Sequence, residues 1–331
     1  MTAFNHIAVL GAGAWGTALA YTAHEAGRTV SVWARETDVA EALSAGRGNP
    51  VYLPDTPLPV FNASDDISIL AGADMVLAVV PAQFARATFE AARPHIADGT
   101  PVLLCAKGIE QDTLTLMTDV LAETLPAAVP AVLSGPSFAA DVARGLPTAV
   151  TLACKDEALG QALMTAIGRP AFRPYWSDDL IGAEVGGAVK NVLAIACGMV
   201  EGLALGKSAH AALIARGFAE MTRLGTAMGA RRETLAGLSG LGDLVLTCSS
   251  PQSRNMSFGK ALGEGRHASD ILGERKAVTE GAATAPALVA LADQRGVDMP
   301  ICSAVNAILS GAATVDDAMQ ALLARPFKSE H

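Results

Sequence analysis

The chain has 331 residues, of which 51% are apolar and 5% aromatic, and it carries a formal charge of −9. That length suggests two domains, or three, and the apolar share is enough for ordinary globular cores. The acidic balance argues against nucleic acid or an anionic membrane as a general partner, while leaving room for a local basic site that holds a small anion.

The first half alternates β-rich runs with helical patterns. His6–Leu10, Thr29–Trp33, Met75–Val80, Pro101–Cys105, Ala131–Ser134 and Thr148–Ala153 read as strands. Between several of them, and after the last, Trp15–Ala26, Thr37–Ala45, Ala82–Arg93, Leu114–Leu125 and Asp156–Ile167 read as helices. Such alternation predicts an α/β fold with a parallel sheet covered on both faces. The Pro-containing stretch Gly48–Pro59 reads as an ordered loop or a flap. Beyond Asp179 strand-like runs nearly vanish. Helical segments take over at Leu180–Leu205, Ala209–Met228, Arg254–Leu262, Ala283–Arg295, Ile301–Leu309 and Thr314–Leu323, and Asp179 is placed to cap the first of them. The expected division is a dinucleotide-binding Rossmann-like domain over 1–178 and an all-helical domain over 179–331.

The first strand runs straight into Gly11-Ala12-Gly13-Ala14-Trp15-Gly16. Strand, GxGxxG, then helix is the context that gives this motif meaning. The first glycine permits the turn, the second lets backbone approach a pyrophosphate, and the third lets helix and strand pack closely. The second strand ends at Trp33-Ala34-Arg35-Glu36. An arginine there accommodates a 2′-phosphate and an acid binds a ribose 2′-hydroxyl. Arg35 favours NADP(H), and Glu36 leaves NAD(H) open.

Four further segments carry chemistry. Lys107 follows the apolar run Val102–Cys105, at the carboxyl end of a strand, where open α/β sheets bind ligands. Ser134-Gly135-Pro136-Ser137-Phe138-Ala139 also follows a strand. In Glu184-Val185-Gly186-Gly187-Ala188-Val189-Lys190-Asn191, a lysine emerges from an otherwise apolar helix with small residues beside it. A lysine desolvated in this way has a lowered pKa and can exchange a proton with a hydroxyl or carbonyl; one that snorkels to solvent cannot. Asn191 could orient a substrate oxygen. Later, Asp243 opens the apolar run Leu244–Leu246, and Ser253-Arg254-Asn255 stands at a helix start. Ser253 can cap that helix, and its free N–H groups with the Arg254 guanidinium suit an anion such as a phosphate.

The five cysteines are widely spaced without a CxxC pair, so they read as small core residues rather than disulfides or a zinc site. The six histidines are scattered, and a metal-free site is expected. No basic region followed by an apolar signal core stands near the N-terminus. The longest apolar stretch, Val185–Leu205, is broken by Lys190, Asn191 and Glu201, and so does not read as a membrane span. The expectation is a cytoplasmic protein.

Taken in order, GAGAWGTALA, AKGIE, SGPSFA, EVGGAVKNVLAIACG, ALIARGFAEMTRLG, GLGDLVLTCSSPQSRNMSFG and AVTEG resemble the bacterial NAD(P)-dependent glycerol-3-phosphate dehydrogenases over nearly the whole chain. The resemblance implies interconversion of dihydroxyacetone phosphate and sn-glycerol 3-phosphate, feeding phospholipid synthesis. It implies Lys190 as the proton-transferring lysine and Lys107 as a second lysine near both cofactor and substrate. Asp243 would orient Lys190 or a substrate hydroxyl. Ser253, Arg254 and Asn255 would hold the phosphate end, with Gly135 and Asn191 also at the substrate. Gly11, Gly13, Ala14, Trp15, Gly16, Arg35, Lys107, Ser137, Ala139, Arg254, Val278 and Glu280 would meet the cofactor.

The chain departs from the family pattern in two places. Val51 stands where many relatives carry a basic residue, and Gly206-Lys207-Ser208-Ala209-His210 replaces the usual loop after the long helix. Two other readings use the same residues: a dehydrogenase of the 3-hydroxyacid type and a non-catalytic NADP(H) sensor. Against the first, Lys190 and Asn191 are adjacent rather than a helical turn apart; against the second, Lys107, Lys190 and Asp243 are all present. The Ala-rich helical half can bury itself internally or against a second subunit, which leaves a homodimer open.

Overall fold

The computed structural model describes residues 4–274, 278–327 and 329. All six expected strands form, with ends shifted by a residue or two. They are β1 (His6–Leu10), β2 (Thr29–Trp33), β4 (Met75–Ala78), β5 (Pro101–Leu104), β6 (Val129–Ser134) and β7 (Thr148–Ala153), joined by β3 (Asn62–Ser64) and β8 (Phe172–Ser177). The sheet runs in the order β3-β2-β1-β4-β5-β6-β7-β8. Its first six positions are the doubly-wound dinucleotide-binding order.

The expectation of a parallel sheet needs one correction, because β6 and β7 pair antiparallel while every other pair is parallel. The two unexpected strands also have plain causes. β3 is three largely polar residues, too short for a pattern to register. β8 carries Pro174, which lacks a donor and is tolerated because β8 is an edge strand.

Both faces of the sheet are covered. Along β1, Ile7 and Val9 enter one apolar cluster while Ala8 and Leu10 enter another, the continuous burial expected of a central parallel strand. A third cluster fills the helical half, centred on the 23-residue helix Leu180–Gly202. This helix is long and apolar enough to cross a membrane, but 94% of its most apolar window is buried inside the fold. Asp179 caps it as expected, Oδ1 accepting from Gly182 N at 2.9 Å.

A close crossing places the core helix beside the Arg254–Gly263 helix. A Cβ at Gly198 would lie 2.1 Å from Met256 O, and one at Gly259 would lie 1.9 Å from Ile195 O. Only glycine on both partners allows the backbones so near. The run Leu244–Leu246 belongs to a short helix, Asp243–Ser249, on which Leu244 is buried and Val245 exposed. Short helices at Ala139–Ala143, Arg232–Ala236 and Ala268–Glu274 also lie outside the expected set.

Candidate active site

A cleft of about 530 Å³ lies where the carboxyl ends of the central strands meet the helical half. It is lined by the turn Gly11–Gly16, by Arg35 and Glu36, and by Lys107, Ser137 and Ala139. Lys190, Asn191, Ser253, Arg254, Asn255, Val278 and Glu280 line it from the helical side. Of the residues that the sequence assigned to substrate or cofactor, Gly135 and Asp243 alone stand behind this surface, each in contact with Lys107.

At the strand end, Gly11 has φ +116°, and a Cβ there would touch Val79 O at 3.0 Å. A Cβ on Gly16 would lie 1.8 Å from Gly11 O, so the helix Ala14–Glu25 could not begin where it does with a larger residue. A Cβ on Gly13 would meet nothing within 4 Å, so backbone is bared toward the cleft at the middle glycine. Trp15 Nε1 is buried with no hydrogen-bond partner among the described residues. This cradle fits the pyrophosphate of a dinucleotide, which helix N–H groups attract. At the end of β2, Arg35 Nη2 pairs with Glu36 Oε1 at 2.7 Å, the two side chains being 69% and 33% exposed.

At the other end three charged side chains converge. Lys190 Nζ donates to Asp243 Oδ1 at 2.7 Å, and Lys107 Nζ donates to Asp243 Oδ2 at 2.8 Å. The Lys107 ammonium also donates to Gly135 O at 3.2 Å, and that of Lys190 to Thr247 Oγ1 at 2.9 Å. Thr247 Oγ1 in turn donates to Asp243 Oδ1 at 3.3 Å. The Lys190 side chain is 8% exposed and that of Asp243 is 1%; the snorkelling alternative for Lys190 therefore fails. Burial pushes the Lys190 pKa down to about 8, with Asp243 opposing and the Lys107 ammonium adding to the fall. Burial works against the charge on Asp243, yet the ammoniums of Lys107 and Lys190 hold its carboxyl below the ordinary range. One carboxylate serves two ammoniums, so neither is fully compensated.

Asn191 and Asn255 brace this arrangement. Asn191 Nδ2 donates to Lys107 O at 3.2 Å and to Glu280 Oε2 at 3.3 Å, while its Oδ1 accepts from Asn255 Nδ2 at 2.9 Å. Asn255 Oδ1 accepts from Gly281 N at 3.0 Å. Ser253 caps its helix, its Oγ accepting from Met256 N at 3.2 Å. Arg254 opens that helix on the cleft side. Ser137 Oγ donates to Gly135 O at 3.1 Å, and Ala139 begins a short helix. Glu280 begins the helix Glu280–Gln294, and Val278 is exposed just before it.

Both departures from the family pattern have visible settings. Val51 is exposed on the cleft rim, and Lys207, in the first turn of the helix Gly206–Ala227, pairs with Glu201 at 2.9 Å. Thr247 escaped sequence reasoning. It lies four residues after Asp243, a spacing that becomes a contact only once Leu244–Leu246 is known to be helical. Among the described residues no group of three or more His, Cys, Asp or Glu side chains could hold a metal ion, and all five cysteines are buried free thiols.

A doubly-wound sheet with a glycine turn at its switch point, facing a buried lysine–carboxylate cluster, defines a nicotinamide-dependent dehydrogenase. The comparisons narrow the class. Residues 6–160 match the N-terminal model of NAD-dependent glycerol-3-phosphate dehydrogenase, and residues 179–320 match the C-terminal model. The chain belongs to that family. It is 63% identical over 331 residues to glycerol-3-phosphate dehydrogenase [NAD(P)+] of Maricaulis maris, covering 100% of this chain and 99% of that protein. It is 60% identical to the Parvibaculum lavamentivorans enzyme of the same name over 329 residues, covering 99% of each. The crystal structure of glycerol-3-phosphate dehydrogenase from Coxiella burnetii superposes with a TM-score of 0.93 at 40% identity, over 97% of this chain and 99% of that one.

Proposed function

We propose that the protein catalyses the reversible, NAD(P)H-dependent reduction of dihydroxyacetone phosphate to sn-glycerol 3-phosphate, a product that supplies glycerophospholipid synthesis. The observation that carries this reading is Lys190, buried against Asp243 with its pKa lowered to about 8, in a cleft that the dinucleotide turn also lines. When bound, the reduced nicotinamide supplies a hydride to the C2 carbonyl carbon. Lys190 Nζ gives a proton to the carbonyl oxygen, and in the reverse direction takes it from the hydroxyl. Asp243 holds both ammoniums in place, and Lys107 adds a second positive charge that polarises the carbonyl. Gly135 fixes Lys107 through its carbonyl, and Asn191 ties the two halves of the site together. The phosphate is assigned to the first turn of the Arg254–Gly263 helix, with Ser253, Arg254 and Asn255 about it. Gly11, Gly13, Ala14, Trp15, Gly16, Ser137, Ala139, Val278 and Glu280 are assigned to the cofactor, together with Lys107 and Arg254.

NADP(H) is favoured over NAD(H), on the ground that Arg35 stands just past β2 with its side chain 69% exposed. The working division of the chain falls between Asp178 and Asp179, and the compartment is the cytoplasm. A homodimer is supported by an apolar groove of about 1790 Å³ along the helices Gly206–Ala227, Pro300–Leu309 and Val315–Leu323. Leu323 and Phe327 project beside it, both exposed, and exposed apolar surface of that kind marks association sites. Light scattering should return twice the 33.8 kDa chain mass; a monomer at micromolar concentration would contradict the dimer.

The activity is tested by following NADPH absorbance with dihydroxyacetone phosphate, and separately with 2-oxo acids and 3-oxo acids. Turnover with the phosphate alone is expected. Tight NADPH binding without turnover of the phosphate would sink the reading.

A further inference from the structure

The loop after the second helix is tied to the dinucleotide turn by a buried asparagine. Asn49 Nδ2 donates to Ala12 O at 2.9 Å and to Thr17 Oγ1 at 2.8 Å, while Asn49 Oδ1 accepts from Tyr52 N at 3.0 Å. Ala12 belongs to the glycine turn itself. Tyr52 is therefore mounted on the same backbone that cradles the pyrophosphate, with its ring packed on the core of the strand half. Its hydroxyl reaches across the cleft rim and donates to Glu36 Oε1 at 3.3 Å. That oxygen is the one that Arg35 Nη2 also meets, at 2.7 Å. The phenol shifts in accord with this placement: burial first, then the Glu36 charge, raise its pKa.

Just past β2, the two residues read as choosing between dinucleotides, Arg35 and Glu36, thus stand side by side on one rim. They make opposite demands. A ribose 2′-hydroxyl needs an acceptor such as Glu36, whereas a 2′-phosphate needs Arg35 and is repelled by a carboxylate. A free Glu36 would also compete with that phosphate for the Arg35 guanidinium.

We propose that Tyr52 is a positioning residue for cofactor choice: it holds the Glu36 carboxylate on the loop side, so that Arg35 can leave it for a 2′-phosphate. With NAD(H), Glu36 keeps Arg35 and accepts the 2′-hydroxyl. With NADP(H), Arg35 turns to the phosphate and the Tyr52 hydroxyl becomes the partner that Glu36 retains. One site then accepts either cofactor by exchanging hydrogen bonds on a single carboxylate, without loop rearrangement. This inference rests on the reading that Arg35 and Glu36 face the 2′ position.

The test is a double-mutant cycle on the full chain, with dissociation constants for NADPH and NADH measured by nucleotide fluorescence. Tyr52→Phe keeps the ring and removes only the hydroxyl. It should weaken NADPH about threefold to fivefold, no more than the loss of Arg35 itself, and leave NADH within about twofold. Glu36→Gln should weaken NADH, and in that background Tyr52→Phe should have no further effect on NADPH. Equal changes for both cofactors in Tyr52→Phe, or an NADPH loss that persists in the Glu36→Gln background, would overturn the proposal. Arg35→Ala separates the two levels. If Arg35→Ala shifts the NADPH:NADH ratio and Tyr52→Phe does not, the Tyr52 role fails alone. If Arg35→Ala leaves the ratio unchanged, the assignment of this rim to the 2′ position falls with it.

Discussion

The two walls of the cleft use charge in opposite ways. The strand wall meets the cleft with bare backbone at the glycine turn and with Arg35 and Glu36, both reachable by solvent. The helical wall meets it with Lys190, whose partner Asp243 is sunk in the core. An exposed pair is cheap to rearrange, because water screens it and replaces lost contacts. A buried cluster is not, since any unpaired charge left behind must be desolvated without compensation. Under the proposed function, selection among cofactors therefore falls to the first wall, and proton transfer to the second.

Removing Lys190 should separate the walls most sharply. Lys190→Ala leaves Asp243 paired with Lys107, so folding survives. Its kcat should fall by about 10³, the scale of a lost general acid, while the NADPH dissociation constant from fluorescence titration stays within about twofold of wild type. A matching loss of NADPH binding would mean that the helical wall also selects the cofactor. Thr247→Val comes next. It removes an acceptor from the Lys190 ammonium, which disfavours the charged form. We expect kcat to drop about tenfold and the high-pH limb of the rate profile to move to lower pH; an unmoved limb would assign Thr247 to packing alone.

On the other wall, Arg35→Ala should raise the NADPH dissociation constant about fivefold, with the loss shrinking as salt rises. The NADH constant and kcat should hardly move. A large fall in kcat would blur the division between the walls.

The smallest effect concerns how the walls are joined. Glu184, on the core helix, accepts from Thr118 N at 2.9 Å and from Thr118 Oγ1 at 2.7 Å. It thereby caps the helix Met117–Thr124, whose own N-cap, Leu116, offers no side-chain bond. Burial, only partly offset by Thr118 and reinforced by Asp119, pushes the Glu184 pKa up to about 7. The folded state therefore holds this proton more tightly than the unfolded chain does. Its contribution is full below the ordinary glutamate pKa and is lost as pH rises through about 7. Melting temperatures of wild type and Glu184→Gln should differ by a few degrees more at pH 8 than at pH 4.5, with the variant favoured at pH 8. A constant difference would remove Glu184 from the pH response.

The alternation of strands and helices, the glycine turn and the lysine on its apolar helix were legible from periodicity and motif. Those signals are local, and they sit in long elements. The reversal between β6 and β7 was not legible, because a strand's sequence carries its burial and not its direction. β3 was too short and β8 too interrupted by Pro174 to show a period of two. In the site, Lys190, Lys107 and Asp243 stood out as residue types in unusual surroundings. That one carboxylate bridges both ammoniums joins residues 107, 190 and 243, and no local pattern carries such a meeting. Thr247 and Tyr52 act through partners four and sixteen residues away, visible only once the helix and the anchored loop are built.

The pH dependence of dihydroxyacetone phosphate reduction tests the buried wall most directly. As the proposed proton donor, Lys190 must carry its proton to react, and burial, with Lys107 adding to the fall, lowers its pKa to about 8. With cofactor saturating, kcat/KM should be level below pH 7 and fall about tenfold for each unit above about 8. In Lys107→Met the fall should begin at higher pH, because a like charge has gone. A profile that stays level to pH 10, or one unchanged by Lys107→Met, would contradict the account of a shared carboxylate tuning the proton donor.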